Sequence, residues 1–147
     1  MLPPEIPEKY RQELEEARTA INYSPKASAA LSRRLLQMTF HNELKIKARD
    51  LSKEIDEFIE SSKAPTYLTS AVDAIRNIGN FAAHPIKNSH TGDIVEVEPG
   101  EAEWLLEVLT ALFDFVFVQP QTLKARREAL NLKLAELGKP ELKGEES

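Results

Sequence analysis

"EAEWLLEVLTALFDFVFV", residues 101–118, is the stretch on which the fold turns. Its last six residues alternate like a β-strand, and a strand here would take the chain out of the all-helical class. The length of the run and its acidic start favour a helix instead. Read as a helix of about 101–118, it is apolar on most of its circumference, with a polar line of Glu107, Thr110 and Asp114. A helix with so narrow a polar stripe belongs at the centre of a bundle or inside a dimer.

The surrounding sequence follows the same pattern. Pro7, Pro25, Pro65, Pro85, Pro99, Pro120 and Pro140 separate segments of helical apolar spacing, as expected for a residue that fits a helix's first turn and not its interior. Six helices are expected. The first covers about 8–22, with Tyr10, Leu14, Ala17 and Ile21 inward. The second follows Ser24 as N-cap, runs to about Glu43, and turns Ala27, Leu31, Leu35 and Met38 inward. The third covers about 51–61 (Leu51, Ile55, Phe58, Ile59) and the fourth about 66–84 (Leu68, Val72, Ile75, Gly79, Ala82). After the helix at 101–118, a sixth covers about 121–137, with Leu123, Leu130, Leu134 and Leu137 on one side, and ends at Gly138 and Pro140. Between the fourth and fifth, "PIKNSHTGDIVEVEPGE" alternates Val95 and Val97 with Glu96 and Glu98, which suggests an extended segment or small ribbon. The expected organisation is an N-terminal extension (1–7), one bundle (8–119), a C-terminal helix (120–138) and a disordered tail (139–147).

Composition narrows the function classes. A chain of 147 residues, 41% hydrophobic and 29% charged, fits one soluble domain with a real core. It has no cysteine, which excludes disulfides, thiolate zinc sites and a cysteine nucleophile and suits a cytoplasmic location. The N-terminus lacks the pattern of a secretory signal, and no apolar run is long enough for a bilayer. The net charge of −5 gives no bulk attraction to nucleic acid. Residues 24–50 are the exception. Lys26, Arg33, Arg34, Lys45, Lys47 and Arg49 outweigh Glu43 and Asp50 there, leaving a local excess of +4. This reads either as a basic face or as a solvated helix side with a charged loop.

The fourth helix carries the one constellation that points to chemistry, in "AIRNIGNFAAHP", residues 74–85. With about 100° per residue, Asp73, Arg76, Asn80 and His84 share a face away from the apolar stripe. Arg76, Asn80 and His84 stand at i, i+4 and i+8 and form a row. Arginine can hold a phosphate through two parallel hydrogen bonds, and histidine can give or take a proton near neutral pH. The plainer readings are a helix-capping histidine, a surface asparagine and an Arg76–Asp73 pair. Gly79 costs about 1 kcal/mol against alanine inside a helix, a cost usually justified by close approach of another backbone.

"AALSRRLL" on the second helix, "AIRNIGNFAAHP" and the apolar fifth helix together resemble the bacterial family called domain of unknown function 4145, over roughly Arg18 to Val118. The sixth helix lies outside that resemblance. The family in turn is similar to the HEPN superfamily of helical bundles. That resemblance implies a HEPN-like fold, dimerisation and relatives in toxin–antitoxin, restriction and phage-defence systems. It also implies, for many members, metal-independent ribonuclease activity from an arginine and a histidine in a composite cleft. Carried onto this chain, the motif's polar residue is Asn80, its histidine is His84, and its arginine position falls on Gly79. Arg76, one turn earlier, is the nearest substitute. Arg34 and His41, on one side of the second helix with Gln37, form a second arginine–histidine pair.

No phosphate-loop, dinucleotide, zinc-protease or nucleophile-elbow motif occurs. No metal or cofactor is expected. The expected protein is an all-α, HEPN-like homodimer with no membrane association. Its candidate catalytic residues are His84, Arg76 and Asn80, and its candidate binding residues are Arg33, Arg34 and Asn77. Two functions of different class fit: a non-catalytic interaction module for a protein, nucleotide or RNA partner, and a metal-independent endoribonuclease.

Overall fold

The stretch at 101–118 is helical and lies in the middle of the molecule. The computed structural model describes residues 2–144. Its elements are α1 (Glu8–Ala20), α2 (Pro25–Asn42), α3 (Leu51–Ser61), α4 (Thr66–Ala83), α5 (Pro99–Phe113), a π-helical turn (Asp114–Val118) and α6 (Gln119–Glu136). The chain is therefore an all-α bundle. α5 packs against α1, α2 and α4 and buries Ala102, Leu105, Leu106, Val108, Leu109, Leu112 and Phe113. Its own bundle thus accounts for the apolar circumference, and a dimer is not needed to cover it.

"DFVFV" is the part that alternates like a strand, and it forms the π-turn. The Gln119 N–H donates to the Asp114 carbonyl five residues back. Backbone angles stay helical on both sides, so α5 and α6 join into one rod. Pro120 does not separate them, contrary to expectation. It sits in the first turn of α6, directly after a wide turn that already departs from i→i−4 bonding, where a missing N–H is tolerated.

Local signals set the other boundaries. The Ser24 hydroxyl accepts from the Ala27 N–H at 3.1 Å, and the Asp50 carboxylate from the Lys53 N–H at 2.9 Å, capping α2 and α3. Two aromatic groups anchor the core: Tyr10, Phe113 and Phe117 with centroids 5.0–5.6 Å apart, and Phe40 stacked on Phe58 at 5.3 Å. Three inward assignments change. Ala27 and Ile59 are exposed, and Ile78, which was not in the stripe of α4, is buried.

After α4 the chain forms a small antiparallel ribbon. Lys87 bridges Ile94, Val95 N–H donates to the Ile86 carbonyl at 2.6 Å, and Gly92 takes the left-handed turn position (φ +75°). Residues 139–144 run back beside α6, where the Leu142 N–H donates to Asn131 Oδ1 at 2.8 Å and the Arg127 guanidinium donates to the Lys143 carbonyl at 2.9 Å. The remainder of the expected disordered tail, 145–147, lies outside the described residues. No described helix is long and apolar enough to cross a membrane.

A candidate anion-binding cavity

α2 and α4 cross where α4 has no side chain. The Arg33 stem lies over Gly79, with its Cδ 2.9 Å from where a β-carbon on that glycine would stand. The close neighbour that explains Gly79 is thus a side chain, not another backbone. Arg33 is half-buried. Its Nε is shut off from solvent without a hydrogen bond, and no carboxylate among the described residues pairs with it. A cavity of about 220 Å³ opens beside it, lined by Arg33, Arg76, Asn80 and the start of α3 (Asp50, Leu51, Ser52).

Arg76 is held quite differently. Its guanidinium donates to Asp56 at 2.7 Å and to Ser52 Oγ at 3.1 Å, and it pairs with Asp73 at 2.9 Å. The hydrogen bond to Asp56 is the largest cause raising its pKa further above the ordinary arginine value. The Arg76–Asp73 pair read from the sequence is present, but the stronger tie runs to α3. Asp56 is therefore the clasp between α3 and α4. Arg76 forms one wall of the cavity with its charge already balanced, while Arg33 brings a free one.

His84 lies elsewhere. It ends α4 in extended conformation (φ −136°, ψ 137°), as the following proline requires, and its side chain is exposed. It lines a separate cavity of about 300 Å³ with Lys26, Phe81, Pro85, Ile94 and Glu96. The row Arg76–Asn80–His84 is therefore divided: Arg76 and Asn80 face one cavity with Arg33, and His84 faces the next with Lys26. Arg34 and Asn77 are exposed and line neither cavity.

The Arg34–His41 pair does not form. His41 Nε2 instead meets the carboxylate of Glu54, which is 1% exposed and also accepts from the Ala48 N–H at 3.2 Å and from Gln37 Nε2 at 3.4 Å. This buried carboxylate was missed, although a signal existed. Glu54 stands between Leu51 and Phe58 on the inward face of α3, an anomalous place for an acid without a partner. The sharing of one cavity by Lys26 and His84 left no such signal, because it depends on how α2 and α4 cross.

The family model described as domain of unknown function (DUF4145) matches residues 15–133. The match reaches further than the resemblance read from the motifs and takes in most of α6. No curated protein and no solved structure matches the chain.

Proposed function

The chain belongs to the DUF4145 family, and we propose that it serves there as a non-catalytic interaction module that takes an anionic group of a nucleotide, RNA or protein partner into the Arg33 cavity. The observation that carries this reading is the state of Arg33. The Arg33 Nε is closed off from solvent without a partner and no carboxylate among the described residues pairs with the side chain, so its N–H groups are open to a phosphate accepting two of them. Asn80 adds an amide donor on the same wall.

The ribonuclease reading requires an arginine and a histidine acting on one phosphodiester. Arg76 is bound to two aspartates, and His84 opens into the neighbouring cavity. Within one chain this arrangement favours binding over cleavage. The HEPN-like resemblance and the defence setting it implies belong to the same proposal, as does a homodimer. Support for the dimer shifts from α5 to α6, where Leu123, Leu130 and the C-cap Leu137 are exposed outside the bundle.

Titration of a labelled single-stranded RNA at low and moderate salt, in EDTA, tests the reading. Salt-sensitive binding that Arg33→Ala removes, with the RNA left intact, is the expected result. RNA cleavage that His84→Ala abolishes would overturn the non-catalytic reading in favour of the ribonuclease.

A further inference from the structure

α6 packs mainly against the π-turn that it continues, and most of its side chains stand in solvent. Asn131 is the one buried residue of the helix, only 9% exposed. What covers it is the chain's own end. Gly138 turns the chain back in the left-handed region (φ +70°), and residues 139–144 return along α6. The Leu142 N–H donates to Asn131 Oδ1 at 2.8 Å. One turn earlier on the helix, the Arg127 guanidinium donates to the carbonyls of Leu142, Lys143 and Gly144 at 3.1, 2.9 and 3.3 Å.

All of these bonds go to backbone groups. Arg127 and Asn131, four residues apart on one helix face, therefore grasp an extended segment largely regardless of its side chains. Two positions of the segment add selectivity. Leu142 is half-buried, while Glu141 and Lys143 on either side of it are exposed. Gly144 has φ +106°, where an L side chain is strained. The surface thus selects Leu-x-Gly. Backbone bonds for affinity with a side-chain contact for selectivity is a recurring mode of peptide recognition. The chain's own segment also fills the site incompletely. Arg127 Nε is closed off from solvent and has no hydrogen-bond partner among the described residues. Lys139, Pro140, Glu141, Lys143 and Gly144 are all exposed, and a segment held by a few backbone bonds and one apolar side chain opens at low cost. A ligand that brings an acceptor to Arg127 Nε gains a bond that the chain's own end lacks.

We propose that the Arg127–Asn131 face of α6 is a docking site for an extended Leu-x-Gly segment of a partner protein, and that residues 142–144 occupy it as an internal stand-in until the partner displaces them. This face is separate from the Arg33 cavity and does not depend on what that cavity binds.

Magnetic resonance of the intact, isotope-labelled chain, titrated with the unlabelled peptide KPELKG that copies residues 139–144, tests the site. Added peptide is expected to move the Leu142 amide signal to its released position while the Asn131 side-chain amide stays bonded. Leu142→Pro in the protein removes the N–H that Asn131 accepts. That change frees the site and should tighten peptide binding about tenfold or more, the competition expected from two or three backbone hydrogen bonds. A peptide carrying the same Leu142→Pro change should not bind. Arg127→Ala or Asn131→Ala, added to the Leu142→Pro protein with its helical signal retained, should abolish binding. Peptide binding that survives Arg127→Ala, or signals that move only in the bundle, would overturn the docking site. A Leu142→Pro protein that binds no peptide would do the same and leave the segment as a cap on α6. A Leu142 signal that moves with the concentration of the protein alone would assign the site to the end of a second copy and overturn the separate partner.

Discussion

The Arg33 Cδ lies 2.9 Å from the position of a β-carbon on Gly79, closer than side chains tolerate. The glycine therefore makes room for the arm that carries the free charge. Gly79→Ala brings two opposed effects. Alanine gains about 1 kcal/mol of helix propensity, and its methyl pushes a flexible stem aside. Stability measured by urea denaturation is expected to change by less than about 1 kcal/mol, while phosphate-ligand affinity falls because the guanidinium is displaced. A loss nearer the roughly 3 kcal/mol upper range of overpacking would mean that the crossing itself cannot yield.

Arg33 and Arg76 share a cavity but should respond oppositely to removal. Arg76 joins α3 to α4 through Asp56, Ser52 and Asp73, so Arg76→Ala is expected to cost about 1–3 kcal/mol of stability. Arg33 has no such ties, so Arg33→Ala should leave the melting temperature nearly unchanged and abolish ligand binding. Both variants examined by thermal denaturation and by titration decide the matter. Equal destabilisation would show Arg33 to be a packing residue.

The contrast between these arginines marks the limit of what the sequence makes legible. Helix periodicity and caps such as Ser24 are local, and they placed all six helices within a few residues. Even the ambiguous "DFVFV" was readable as helix, though its π-turn and the continuity through Pro120 were not. Neighbours along one helix were also legible, including Arg76 beside Asp73. What could not be read was anything set by how two helices cross: Arg33 over Gly79, Arg76 on Asp56, Lys26 and His84 lining one cavity. Helical spacing gives a side chain's direction, but not which neighbour it meets.

Glu54 and His41 form a buried pair whose removal should be strongly asymmetric. His41→Ala leaves a carboxylate that is 1% exposed with only the Ala48 N–H and Gln37 as partners. A loss of about 1–3 kcal/mol is expected, as for a buried group deprived of its partner. Replacing both residues by leucine removes the buried charge along with its partner and should recover much of that loss. Chemical denaturation of the three proteins measures the difference. A double variant no better than His41→Ala would show that the pair's geometry, not its charge, holds α2 to α3.

Tyr10 makes stability fall in alkali. Burial, followed by the hydrogen bond from its hydroxyl to Glu43 (2.9 Å), raises its pKa from 10.0 to about 12. Below pH 10 both folded and unfolded chains keep the proton. Between about 10 and 12 the unfolded chain releases it first and so binds fewer protons, and stability declines with rising pH by up to about 1.4 kcal/mol per pH unit. Tyr10→Phe lacks this component. The stability advantage of the wild type over Tyr10→Phe should therefore shrink through that range, and a constant difference would show that Tyr10 titrates normally.

Outside the bundle, Leu123 and Leu130 on α6 and Leu137 at its C-cap stand seven residues apart, all exposed. Contacts of Arg127 and Asn131 with residues 142–144 cover the neighbouring side of the helix. The leucine side stays open, and three leucines in a row on an open helix favour association with a second such row. Light scattering is expected to give the mass of a dimer for the intact chain. It should give a monomer for Leu130→Glu and for a chain ended at Pro120, with the bundle's helical signal retained. A dimer that survives both changes places the interface on the bundle itself, and a monomeric wild type removes the dimer altogether. The Arg33 cavity, built from α2, α3 and α4 alone, should bind its ligand equally well in either case.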